Sequence, residues 1–206
     1  MYSNVSKTQK MVGTGVLAAI VVLLQLLSTF GIHVGPVPIS LVLVPIAIGA
    51  ILYGPGAGAF LGAVFGAVVL GMILGGLDPA SMAMLQFNAP ATVITCFGKG
   101  IAAGWVSGMV YKAFEKIKQR QLGVIIGTLL CPVVNTGLYV LMVITIFRPL
   151  MENEQVKGVG AVFVALMGLI MVNVISEIVI TVVLTPIVLQ IVKIITRASS
   201  TSTVNA

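Results

Sequence analysis

Between residues 11 and 77 the chain holds no charged side chain, and the only groups there that titrate are His33 and Tyr53. A helix rises 1.5 Å per residue, so a run of that length crosses a hydrocarbon layer of roughly 30 Å about three times. Roughly a quarter of the residues in an ordinary soluble domain are charged. Here 8% are, alongside 59% hydrophobic residues and a mean hydropathy of +1.18. The pattern predicts an all-α, polytopic membrane protein.

Cutting the 206 residues at charges and at Gly/Pro clusters gives apolar segments at 11–30, 38–53, 56–77, 88–111, 122–147 and about 159–192. Six transmembrane helices in one bundle are expected, forming a membrane domain over 11–195 between an N-terminal segment, 1–10, and a disordered tail, 196–206. The second span is short and contains Pro45, which a bundle tolerates when neighbours satisfy the freed carbonyl. The last is long for one upright helix and short for two, so tilt or an extension from near Gly158 is expected. The N-terminus resembles a signal peptide, but 31–38 offers no small-x-small cleavage site, so the first helix is expected to be retained.

Orientation follows from the cations. Lys7, Lys10, Lys112, Lys116, Lys118, Arg120, Lys193 and Arg197 fall on one side of a six-span path. Arg148 and Lys157, accompanied by Glu152 and Glu154, fall on the other, as does Asp78 in the loop after the third span. The excess of Lys and Arg marks the cytoplasmic side, which puts both termini inside. The net charge of +6 is therefore a topology signal and does not point to nucleic acid.

Small residues recur every fourth position at Gly58, Gly62 and Gly66 and again at Gly100, Gly104 and Gly108. Such stripes let helix backbones approach closely. They fit packing within the chain or a groove for a partner's helix.

An ionisable side chain in hydrocarbon costs at least ~2.5 kcal/mol and is usually functional or paired, which singles out Lys99 and Glu177. Lys99 is thirteen residues, roughly 20 Å, from Lys112; Glu177 is sixteen, roughly 24 Å, from Lys193; Asn135 is fifteen, roughly 22 Å, from Arg120. Three polar groups from three helices thus share a layer in the outer half of the membrane. Helical spacing adds Asn173 beside Glu177, Tyr139 beside Asn135, and a stripe of Asn88, Thr92 and Thr95 leading to Lys99. A pocket open to the outside is one reading. A buried Lys99–Glu177 ion pair fixing two helices, with asparagines bonding between helices, is the other.

Cys96 and Cys131 lie in apolar runs without a CxxC motif or a neighbouring His, so buried free thiols are expected, not a redox pair or a metal site. Trp105 and Tyr53 read as packing or interfacial aromatics, and His33 as a loop residue. The chain has no P-loop, no HExxH and no GxSxG. An enzyme is not expected, nor any cofactor in this chain. No half-repeat is visible, so a binding subunit with an external motor fits better than a self-contained carrier.

The sequence resembles the substrate-binding S components of energy-coupling factor (ECF) vitamin transporters over about residues 8–195. The likeness is carried by VGPVPISLVLVPIAIGAILYGPGAGAFLGAVFG, FGKGIAAGWVSGMVYK, CPVVNTGLYVL and NVISEIVITVVLTPIVLQIVKI. The resemblance implies a six-helix cell-membrane protein that captures a vitamin from outside and docks on a transmembrane scaffold subunit driven by two ATPases, which use the ATP. The family's first helix often presents an AxxxA docking face, to which the nearest matches are Gly15 with Ala19 and Ala18 with Val22.

Within the family the chain is most similar to pantothenate-type members. Pantothenate is a small, flexible carboxylate whose charge Lys99 would neutralise, while Asn135, Asn173 and Glu177 would meet its hydroxyls and amide. A flavin or pterin would favour an aromatic-rich pocket, and aromatics are 6% of the chain, with one Trp. The same architecture serving another small nutrient, and a membrane scaffold without a ligand, are the competing functions.

Overall fold

The computed structural model describes residues 7–30, 33–34, 37–38, 41–146, 175 and 177–190. Among them are helices α1 (Lys7–Phe30), α2 (Leu43–Tyr53), α3 (Pro55–Leu74), α4 (Pro79–Phe87), α5 (Ala89–Lys116), α6 (Arg120–Ile146) and α7 (Glu177–Gln190). Two short strands, β1 (His33–Val34) and β2 (Val37–Pro38), pair antiparallel between α1 and α2. Four of the helices, α1, α3, α5 and α6, are long and apolar enough to cross a membrane, while α2 and α7 are shorter apolar helices. Each expected span contains a described helix. The tail over 196–206, Arg148, Glu152, Glu154, Lys157, Asn173, Lys193 and Arg197 lie outside the described residues.

The boundaries carry their own chemistry. α2 starts at Leu43, so Pro45 falls in its first turn, where the N–H that proline lacks has no intrahelical partner to lose. Gly54 alone separates α2 from α3. Its φ of 101° is a conformation glycine adopts readily, and Pro55 then opens α3.

One element departs from the sequence reading: the stretch after α3, expected as a loop, contains α4. Asp78 caps it, with Oδ1 accepting from the Ser81 N–H at 3.1 Å and Oδ2 from the Ser81 hydroxyl at 2.5 Å. Asn88 caps α5 in the same way, accepting from the Ala91 N–H at 3.2 Å.

The frame of the bundle is the α3–α5 contact. Gly58 faces the Gly104 carbonyl, Gly62 that of Gly100 and Gly66 that of Cys96, and a Cβ at any of the three glycines would overlap the opposing backbone. As one number rises the other falls, so the helices run antiparallel, with the two stripes spent on each other inside the chain.

Three apolar clusters succeed one another along α5. Ala91 joins Met84 and Val143 at the α4 end. Ala103 joins Val21, Leu43, Ile46, Leu61, Phe65 and Cys131 in the middle. Tyr111 joins Ile51, Leu52, Val124 and Val188 at the far end. Gly13 of α1 packs on Tyr53 of α2 and Gly108 of α5 on Pro55 of α3, which brings the α1 start, the α2–α3 turn and the α5–α6 turn together. Exposed Lys7, Lys10, Lys112, Lys116, Lys118 and Arg120 therefore collect at the end opposite α4.

Candidate ligand cleft

Asn88, Thr92, Thr95 and Lys99 follow one face of α5. The first turn is occupied with itself: besides the cap, the Thr92 hydroxyl donates to the Asn88 carbonyl at 3.0 Å and the Thr95 hydroxyl to the Ala91 carbonyl at 2.7 Å. Each hydroxyl keeps acceptor capacity. A cleft opens beside this face, lined by Val69 and Ile73 of α3, Ser81 and Met84 of α4, Thr92, Thr95, Cys96 and Lys99 of α5, and Tyr139 of α6. The empty space in it, open mouth included, is about 290 Å³.

The Lys99 ammonium lies 4.9 Å from the centre of the Tyr139 ring and 5.6 Å from that of Phe65. Two aromatic faces hold the cation. Below it, one helical turn along α5, Ala103 is fully buried in the middle apolar cluster. The cleft is therefore closed at its inner end. Above it, the Tyr139 hydroxyl reaches the Met84 sulfur at 4.0 Å, which ties α4 to α6 over the opening.

Glu177 is 6% exposed and its Oε2 accepts from the Thr136 hydroxyl at 3.0 Å. Glu177 and Lys99 form no ion pair, whereas Glu115 and Arg120 do, at 3.5 Å near the basic end. Asn135 is also 6% exposed, and its Oδ1 has no hydrogen-bond donor among the described residues.

The cleft thus gathers Lys99, Tyr139, Thr92 and Thr95 of the residues expected from the sequence, with Asn135 one turn from Tyr139 on the same face of α6 and Glu177 held by the residue after Asn135. Asn88 is engaged as a cap, and Asn173 lies outside the described residues. Sequence reasoning missed Phe65, Ser81, Met84 and Thr136. The pairing of Asp78 with Pro79, an N-cap followed by proline, was the available signal for α4 and so for Ser81 and Met84. On α1, Gly15 and Ala19 are exposed, with nothing within 4 Å of the position a Gly15 Cβ would take, whereas Ala18 packs against the middle cluster and Val22 is half-buried. Among the described residues, no three His, Cys, Asp or Glu side chains group to hold a metal.

Four helices long and apolar enough to cross a membrane, packed around this cleft, point to a multi-pass membrane protein. A family model described as "ECF transporter, substrate-specific component" matches residues 9–189, and the chain belongs to that family. It is thus a substrate-binding transporter subunit, in a family that works with a scaffold subunit and ATPases on vitamin-type substrates. No curated protein and no solved structure matches the chain.

Proposed function

We propose that the chain is the S component of an ECF importer in the cell membrane, and that it captures a carboxylate vitamin, pantothenate, from outside. The observation that carries the reading is Lys99: a cation at a closed cleft, held by two ring faces and without a carboxylate partner among the described residues. Each ring face contributes ~0.5–2 kcal/mol, while a cation at membrane depth costs at least ~2.5 kcal/mol. The rings soften that cost without neutralising the charge. A ligand carboxylate would neutralise it through charge-assisted hydrogen bonds.

The remaining assignments fit this arrangement. Six spans with the basic end in the cytoplasm put the cleft on the outer side, by the distribution of Lys and Arg. The apolar floor under Lys99 argues for a receptor that hands its cargo to a partner, not for a channel. Gly15 and Ala19, on the open face of α1, are the candidate docking residues for the scaffold. ATP hydrolysis would lie in the partner ATPases, since no P-loop is present in the sequence.

The test is to purify the protein from cells grown in rich medium, identify the co-purifying small molecule by mass spectrometry, and titrate the emptied protein with a vitamin panel. Pantothenate should be recovered and should rebind. Another carboxylate vitamin in its place would correct the cargo, and an empty protein that binds nothing in the panel would favour a scaffold.

A further inference from the structure

The hydroxyls of Ser81, Thr92, Thr95 and Tyr139 line the cleft, and where their protons go fixes what they offer a ligand. The Ser81 hydroxyl donates to Asp78 Oδ2 at 2.5 Å, that of Thr92 to the Asn88 carbonyl at 3.0 Å and that of Thr95 to the Ala91 carbonyl at 2.7 Å. A carboxylate or carbonyl oxygen only accepts, so each of these protons comes from the hydroxyl. Asp78 holds Ser81 twice, taking its N–H at 3.1 Å as well, and bonds to a charged acceptor are about twice as strong as neutral ones. The Tyr139 hydroxyl is turned to the Met84 sulfur.

A hydroxyl that has given its proton away keeps its lone pairs. Ser81, Thr92 and Thr95 therefore turn acceptors toward the cleft, and among its lining side chains the strong donor is the Lys99 ammonium. Thr95 stands one turn from Lys99 and Thr92 nearly two, about 6 and 10 Å along α5. The inner end of the cleft thus donates, and the wall between it and the α4 end accepts. Thr92 and Thr95 are buried, so a ligand that faced them with further acceptors would leave polar groups unpaired on both sides, at a cost in affinity.

We propose that Ser81, its proton held by Asp78, is a specificity-determining residue that accepts a hydrogen bond from a ligand O–H or N–H. Thr92 and Thr95 act with it, so the cargo is an anion that carries donors about 6–10 Å from its charge. The assignment rests on the reading of Lys99 as the anion anchor. It admits a carboxylate with hydroxyls at its remote end, as in pantothenate, and disfavours one that bears only ether, keto or halogen groups there.

Calorimetric titration of the purified full chain with three carboxylates tests this: pantothenate, the analogue lacking both hydroxyls, and the analogue carrying fluorine in place of both. Fluorine keeps much of the size and polarity of a hydroxyl oxygen and has no proton to donate. Wild type should bind pantothenate roughly 10-fold or more tightly than either analogue, and the fluorinated one no more tightly than the dehydroxylated one. Ser81→Ala should weaken pantothenate roughly threefold or more and leave both analogues unchanged, since neither uses the lost acceptor. Tighter binding of the fluorinated than of the dehydroxylated analogue by wild type overturns the proposal, because it places donors on the wall, and it does so without requiring any variant to fold. Ser81→Ala that binds all three like wild type, or loses all three equally, overturns it too, the second result marking a structural role in α4. Each of these results leaves the Lys99 anchor standing, whereas wild type that binds none of the three carboxylates overturns the anchor and the donor requirement together.

Discussion

The Lys99 ammonium stands 4.9 Å from the centre of the Tyr139 ring, joining α5 to α6 at the level where the cleft meets the apolar core. The ring face, not the hydroxyl, carries the attraction. Tyr139→Phe should therefore hold affinity for pantothenate within about threefold, because the ring face is retained. Tyr139→Leu should destabilise the ligand-free protein by about 1 kcal/mol, read as a lower unfolding temperature in detergent. If Phe and Leu behave alike, the hydroxyl contact to Met84 matters more than the ring.

Replacing Lys99 by Met keeps much of the volume and removes the charge. Binding of pantothenate should weaken by roughly 2–4 kcal/mol, 30-fold or more, while expression survives. The double variant Lys99→Met/Glu177→Gln distinguishes anchor from structural pair. Recovery of both stability and wild-type binding in that variant would show that Lys99 serves Glu177 and not the ligand.

Gly62 and Gly98 give opposite expectations for the same substitution. A Cβ on Gly62 would overlap the Gly100 carbonyl, whereas nothing lies within 4 Å of one on Gly98. Gly62→Ala should cost about 1–3 kcal/mol by overpacking, and Gly98→Ala should be neutral or slightly stabilising through helix propensity. Thermal unfolding of the two variants side by side gives the answer. Equal stability would mean that α3 and α5 do not meet at these glycines.

Removing the Asp78 cap should loosen α4 without unfolding the bundle. Asp78→Ala should cost that helix about 1 kcal/mol, visible as faster hydrogen exchange over residues 79–87 and faster ligand release. Unchanged exchange there would show that packing of Met84 against Tyr139, and not the cap, holds the helix in place.

Topology and energy source are separable in cells. Cys96 and Cys131 are buried, so a cysteine placed at exposed Gln86 reports with little background. It should react with an impermeant maleimide while tags at both termini stay protected. Cells with this chain alone should bind pantothenate without accumulating it, and accumulation should require the scaffold and ATPase subunits. Concentrative uptake by the lone chain would contradict the S-component assignment.

The uncharged run and the spacing of charges made the long helices legible, because exclusion of charge from lipid acts on every residue of a span. The glycine stripes were legible as contact surfaces, but not in their pairing, since a four-residue repeat names a face and not its partner. Lys99 stood out through the cost of its charge. Its ring partners did not, because Phe65 sits in a glycine-rich helix whose rotation only tertiary packing fixes. α4 escaped because nine residues of mixed character carry no readable period, although Asp78 and Pro79 marked its start. Asn88 fitted a polar stripe by spacing, yet its place just before α5 turned its side chain to capping.

The backbone contact of Gly62 with Gly100 leaves no room for a side chain between α3 and α5, so the wall of the cleft carried by Val69 and Ile73 of α3 and Thr95 and Lys99 of α5 stands on a main-chain seam. The opposite wall, Tyr139 on α6 with Ser81 and Met84 on α4, is made of side chains hung on elements outside that seam. Cargo preference can therefore drift on the second wall while the first keeps its shape. Proteins of one architecture can in this way come to carry chemically unrelated nutrients without having to refound the bundle.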